Sequence, residues 1–187
     1  MKIGLFGGVF NPPHFGHLMI AQQVLDYTDI DEVWFLPNYG QSPAKRGVAS
    51  VADRLVMTKL LVLPKTKVST IEIDNILSGK TIDLLPYLPK EHTYTFIMGS
   101  DWLSGFTKWE RYEELLEKLP FLVFPRNDHP TSPLYKNMKL LSHDNLITSN
   151  ISSTKIRARI AAGLSVDAFV PEAVARYIKE HKLYEAD

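Results

Sequence analysis

The sequence contains no cysteine, which excludes disulfides, thiolate nucleophiles and thiolate-held metal ions and points to a reducing compartment. It has no excess charge of either sign, since 21 Lys and Arg balance 21 Asp and Glu. No overall field therefore draws in a polyanion such as DNA or RNA, and any anion site has to be local. No apolar run approaches the ~20 residues that a membrane-spanning helix needs. The opening MKIGLFGGVF is too short a hydrophobic run, ahead of Pro12 and Pro13, for a secretory signal. Repeats and low-complexity segments are also missing. These absences lead to the expectation of a cytoplasmic chain with no membrane or nucleic-acid partner. Its 187 residues, 45% hydrophobic and 22% charged, suffice for one well-buried domain over 1–187.

What is present alternates. Short apolar runs at Lys2–Phe6, Glu32–Pro37, Tyr94–Asp101 and Pro120–Arg126 read as strands, with KVSTIEI (67–73) as a further one. Helical spacing begins at Gly16, returns over Val51–Leu63, and closes the chain in STKIRARIAAG and VPEAVARYIKEH. Ser153 is the expected N-cap of the first closing helix and Gly163 its stop, while Pro171 suits the first turn of the second. Residues 127–149 read as a loop region with one or two short strands. Strands alternating with helices predict an α/β fold: a Rossmann-like three-layer sandwich, its mainly parallel sheet covered by helices on both faces. Ligands of such sheets bind at the carboxyl ends of the strands, near the topological switch point.

That edge is where the unusual residues fall. Gly7 and Gly8 follow a buried strand, where glycine allows positive φ and a close approach of backbone N–H groups to an anion; a tight turn needs small residues equally. His14 and His17 stand three apart as a helix begins. They suit phosphate contact, a metal pair that lacks an obvious third ligand, or simple capping. In ISSTKIR, the hydroxyls of Ser152, Ser153 and Thr154 at a helix start, with Arg157 one turn in, form an anion cup that exceeds what one cap requires. Lys45 and Arg46 lie in a polar loop after the second strand. Asp101, after FIMGS, can accept from a ribose hydroxyl or cap a helix, and Trp109 can stack on a ring or simply pack.

HFGH at 14–17 and ISSTKIR at 151–157, in this order, resemble the two hallmarks of the nucleotidyltransferase superfamily with a first-loop His-x-Gly-His and a late Ser/Thr-rich motif. Within it the chain looks most like the bacterial nicotinate-nucleotide adenylyltransferases. That likeness runs nearly end to end, through DEVWFLP, TID, FIMGSD, KWERYEEL, VFPR and VPEAVARYI. It implies adenylyl transfer from ATP, carried with Mg²⁺, to nicotinate mononucleotide, in NAD biosynthesis. By the resemblance, His14, His17, Lys45 and Arg157 serve catalysis. Gly7, Gly8, Gly99, Asp101, Ser152, Ser153 and Thr154 hold ATP; Thr81, Asp83 and Trp109 hold the mononucleotide, with Trp109 on the pyridine ring. No resident metal site is implied.

The sequence departs from the family pattern at Val9, where Thr or Ser is usual, and at Asn11, where Asp is usual. PPHK appears as SPAKR, and SYTIDTL as GKTIDLL. These changes leave open nicotinamide mononucleotide, phosphopantetheine or a sugar or glycerol phosphate as acceptor. A nucleotide-binding regulator without turnover is the alternative of another class, though pure binding does not need both histidines, Lys45 and Arg157. A homo-oligomer is left open.

Overall fold

The centre of the fold is its first strand, β1 (Lys2–Gly8), apolar enough to be buried on both faces. In the computed structural model, which describes residues 1–40, 47–61 and 63–186, β1 pairs in parallel with β2 (Glu32–Pro37) on one side and β4 (Thr93–Gly99) on the other. Beyond them lie β3 (Thr66–Val68), β5 (Phe121–Phe124) and β6 (Met138–Leu140), all parallel, in the order β3-β2-β1-β4-β5-β6. The order reverses between β1 and β4, so the C-terminal ends of these two strands frame the switch point. The expected α/β sandwich is borne out.

Strand alternation divides the core. Ile3, Leu5, Trp34, Leu36, Phe96, Met98, Phe121 and Val123 face one side, packed against residues of three helices: α4 (Thr81–Leu84), a 3-10 helix at Ser100–Lys108, and α5 (Tyr112–Lys118). Their neighbours Phe6, Val33, Phe35, Ile97, Leu122 and Phe124 face the other side, where Ala21 and Val24 of α1 (Phe15–Tyr27) pack. A third cluster joins Met57 of α2 (Val51–Lys59), Ile156 of α6 (Ser153–Ala161), and Val174 and Ile178 of α7 (Glu172–Glu180). Among the described residues no helix is long and apolar enough to cross a membrane.

Several local expectations need correction. KVSTIEI is not one strand: β3 stops at Val68, and Ile71–Asp74 form a short helix, α3. An edge strand extends only as far as its partner, and β3 pairs only with Val33–Phe35. The helix expected over Val51–Leu63 ends at Lys59. Ser152, not Ser153, caps α6, accepting from Lys155 N at 3.3 Å. Pro171 is the N-cap residue of α7 and not its first helical position. Gly163, at φ +68°, does end α6: its N–H donates to Ile160 O and that of Leu164 to Arg159 O, both at 2.9 Å, a Schellman closure.

Candidate active site

Four segments converge on the C-terminal edge at the switch point. The first is the β1–α1 loop. Gly7 and Gly8 are still strand, paired with Leu36 and Pro37, and neither has the positive φ expected of them; the residue that does is Phe10, at +50°. Gly7 is glycine for want of room, since a Cβ would lie 2.9 Å from the ring of Phe96. His14 caps α1 with extended backbone, and its N–H donates to Nδ1 of His17 at 3.1 Å. The two rings stack at 3.8 Å. Gly16 makes this stack fit: a Cβ there would lie 2.9 Å from Nδ1 of His14.

Burial, and to a lesser degree Arg126, holds His14 down to about 3. Burial first, then His14 and Arg126, keep His17 well below its ordinary value. Both rings are therefore neutral near pH 7 in the ligand-free protein. Because His17 Nδ1 accepts a hydrogen bond, its proton sits on Nε2, which becomes a fixed donor. Nδ1 of His14 is buried without a partner.

The second segment, the start of α6, is tied to the first. Ser153 Oγ donates to Pro12 O at 2.8 Å, and Arg157 Nη1 to Asn11 O at 2.8 Å. Arg157 Nη2 reaches Thr154 Oγ1 at 3.5 Å. The histidine pair and the Ser/Thr-rich motif, 141 residues apart at the Ser153–Pro12 contact, thus form two walls of one cleft, each at a helix N-terminus.

The third segment is the end of β4. Asp101 lies inside the first turn of the 3-10 helix and does not cap it; the N-cap residue is Gly99. One carboxylate oxygen, Oδ1, is buried without a hydrogen-bond partner and stands 3.9 Å from Arg126 Nε. Arg126 also donates its backbone N–H to Ser100 Oγ at 3.0 Å and Nη2 to Ile151 O at 3.4 Å. Gly99 is required by this packing: a Cβ would lie 2.2 Å from Asp101 Oδ1 and 2.7 Å from Arg126 Cδ.

The fourth segment, by the end of β2, carries Thr81 and Asp83. Ser78 Oγ donates to Asp83 Oδ2 at 2.8 Å, and Gly79 lies against Asn38, just past β2. Lys80 pairs with Glu110 at 3.6 Å, bringing the neighbours of Thr81 and Trp109 together. Trp109 is half-buried against Phe106 at 5.1 Å, Trp102 at 5.8 Å and Phe96 at 6.0 Å, so it packs, with part of its ring left open. Lys45 lies outside the described residues.

Four residues that sequence reasoning gave no role belong to this site. Arg126 sits in VFPR, where the sequence signalled only a strand end. Arg54 is fully buried, donating Nη1 to Val9 O at 2.9 Å and Nε to Ala49 O at 3.3 Å, with Nη2 unpartnered. Tyr184 reaches Asn11 from the far end of the chain. Glu72 is buried behind the Thr81 segment and accepts from the backbone of Gly79; burial pushes its carboxyl up to about 7. None of the last three has a sequence signal beyond a charged or polar residue in an ordinary helix or tail. The described residues of the cleft present fixed N–H donors and guanidinium groups, a set suited to orienting polyphosphate.

The cytidylyltransferase-like family matches over residues 5–159. The chain is 38% identical over 194 residues to a Salinibacter ruber protein named Probable nicotinate-nucleotide adenylyltransferase, covering 98% of each chain. It is 36% identical over 191 residues to a Bacillus pumilus protein of the same name, covering 99% of each. Its fold superposes on Plasmodium falciparum nicotinic acid mononucleotide adenylyltransferase complexed with NaAD, with TM-score 0.79, 19% identity, and coverage of 98% of this chain and 97% of that one. With the cleft described above, these likenesses place the chain in the cytidylyltransferase-like family of nucleotidyltransferases, among the nicotinate-nucleotide adenylyltransferases.

Proposed function

We propose that the chain joins ATP and nicotinate mononucleotide to give nicotinate adenine dinucleotide and pyrophosphate. A phosphate oxygen of the mononucleotide attacks the α-phosphorus of ATP; the bond from that phosphorus to the bridging oxygen breaks, and pyrophosphate leaves with the electron pair. The attacking phosphate is mostly dianionic near neutrality, its second pKa being about 6. It needs no general base, so the protein's work is alignment and charge stabilisation.

The observation that carries this reading is the joining of the two helix N-termini by Ser153–Pro12 and Arg157–Asn11, which closes a donor-lined cleft at the switch point. In it, the Nε2–H of His17 donates to the phosphate under attack, with His14 behind it. Arg157 and the N–H groups of α6 take the opposite side, assisted by Ser152, Ser153 and Thr154. Asp101 and Gly99 line the adenosine end, with Gly7 and Gly8 as the floor. Thr81, Asp83 and Trp109 receive the mononucleotide, and Lys45 meets the pyrophosphate. Among the described residues no group of three or more His, Cys, Asp or Glu comes together to hold a metal ion. Mg²⁺ is assigned to the substrate, as the ion that ATP brings.

Pyrophosphate release tests the reading, with ATP and Mg²⁺ against nicotinate mononucleotide, nicotinamide mononucleotide and phosphopantetheine. The expected result is fastest turnover with the first; no release with any of them overturns the proposal. His17→Ala should lower kcat by roughly two to four orders of magnitude, about 3–5 kcal/mol of transition-state stabilisation. A near-normal kcat in that variant removes His17 from the reaction.

A further inference from the structure

At the base of the β1–α1 loop lies a buried polar cluster that joins Arg157 of the cleft to two residues the proposed reaction does not use, Asn11 and Tyr184. Its centre is Asn11, 4% exposed, with its side-chain amide and its main-chain oxygen all engaged. Its Nδ2 donates to Gly47 O at 2.9 Å, its Oδ1 accepts from Ala49 N at 2.9 Å and from the Tyr184 hydroxyl at 2.8 Å, and its main-chain oxygen accepts from Arg157. Two guanidinium groups flank the loop, Arg157 at Asn11 O and Arg54 at Val9 O. Among the described residues neither is in an ion pair with a carboxylate.

We propose that Tyr184 is a positioning residue for the phosphate-binding cleft: its hydroxyl fixes Asn11, and Asn11 aims Arg157. This inference rests on the polyphosphate reading of the cleft. A cation meant for a polyanion has to be oriented without being neutralised. A carboxylate partner would orient Arg157 but cancel much of its field in a low-dielectric cleft. A carbonyl held in place by an amide and a phenol orients it and leaves its charge for the ligand. Asn11, rather than Asp, suits this arrangement, because only an amide can also donate to Gly47 O.

The tail is shaped to deliver the phenol. Lys182 and Tyr184 both adopt left-handed backbone, at φ +51° and +67°, a conformation unfavourable for residues with a Cβ and retained only when the surroundings demand it. Leu183 between them packs into the third core cluster, and its N–H donates to Ile178 O at 3.0 Å. Tyr177 anchors the same helix by donating to Asp53 at 2.9 Å. Burial keeps the Tyr184 phenol protonated well above its ordinary range, so it remains a donor throughout the working pH.

The test is Tyr184→Phe in the full chain, which keeps the ring and removes the hydroxyl. Affinity for inorganic tripolyphosphate, by calorimetry, should fall about 10-fold, the scale of one buried hydrogen bond acting through its partner. The kcat/KM for ATP in pyrophosphate release should fall similarly, with the KM for the mononucleotide within about twofold. Combined with Arg157→Lys, Tyr184→Phe should cost little more than Arg157→Lys alone, because the phenol acts through that guanidinium. A tail that only supports the fold predicts otherwise: a lower melting temperature, tripolyphosphate bound as by the unsubstituted chain, and effects that multiply in the double variant. Any of the last two results overturns the proposal. Tripolyphosphate binding without pyrophosphate release in the unsubstituted chain would instead overturn the assigned reaction and leave this inference standing.

Discussion

Glu72 is a buried carboxyl with one oxygen unpartnered, and Asp83 adds to the burial that pushes it from 4.5 to about 7. Between those two values the folded chain keeps a proton that the unfolded chain has lost. Stability present below pH 4.5 is therefore lost as pH rises through about 7, by on the order of 3 kcal/mol. His14 has the opposite sign. Held down to about 3, it is neutral in the fold while the unfolded chain takes up a proton, so stability falls as pH drops from about 6.5 toward 3. Glu72→Gln, which cannot ionise, should flatten the loss between pH 5 and pH 8 and be more stable than the unsubstituted chain at pH 8. Urea unfolding at the two pH values measures this, and equal slopes in both proteins would exclude Glu72 as the source. The sequence concealed this residue because Ile71-Glu72-Ile73 alternates as an exposed-edge strand does. A helical turn places the same glutamate inward, and only the packing of residues 77–83 against the end of β2 shows why.

Among the elements, α6 separates two jobs that its sequence presented as one. Three consecutive hydroxyls looked like a single cup, yet Ser152 caps the helix and Ser153 ties it to Pro12. Ser152→Ala should cost about 1 kcal/mol of stability, the usual loss of a capping hydroxyl, with a small change in the KM for ATP. Ser153→Ala should do the reverse, leaving urea stability close to unchanged and raising the KM for ATP as α6 loosens from the His loop. Equal behaviour of the two variants would show that the hydroxyls are one cup after all. The element types, the switch point and both ends of the cleft were legible, because apolar runs, glycine stops and helix-start polar residues are local signals. Strand β3 was misjudged in length because its end is set by its partner, Val33–Phe35. Asn11, Arg54 and Tyr184 could not be grouped at all, since the bond from Tyr184 to Asn11 spans 173 residues.

At the scale of the molecule, the two clusters on the sheet faces share every central strand, whereas α2, α6 and α7 rest on a third cluster of their own. Of α6, Ile156 alone is fully buried, so little apolar area opposes its local opening. The sheet has no such partial exit, because β1 contributes to both face clusters and pairs on both sides. The ligand-free protein should therefore exchange the amide hydrogens of α6 and α7 through openings of lower free energy than those of β1 and β4, which require global unfolding. Polyphosphate that bridges the N-termini of α1 and α6 binds only the closed arrangement and should stabilise it by RT ln(1 + [L]/Kd), about 2.7 kcal/mol at a hundredfold excess over Kd. Native-state hydrogen exchange with and without ATP and Mg²⁺ is the measurement. Added nucleotide should slow exchange in α6 and α7 toward the rate of the sheet. If these helices already exchange as slowly as β1 without ligand, the third layer is not a separate unit, and the cleft is closed before its substrate arrives.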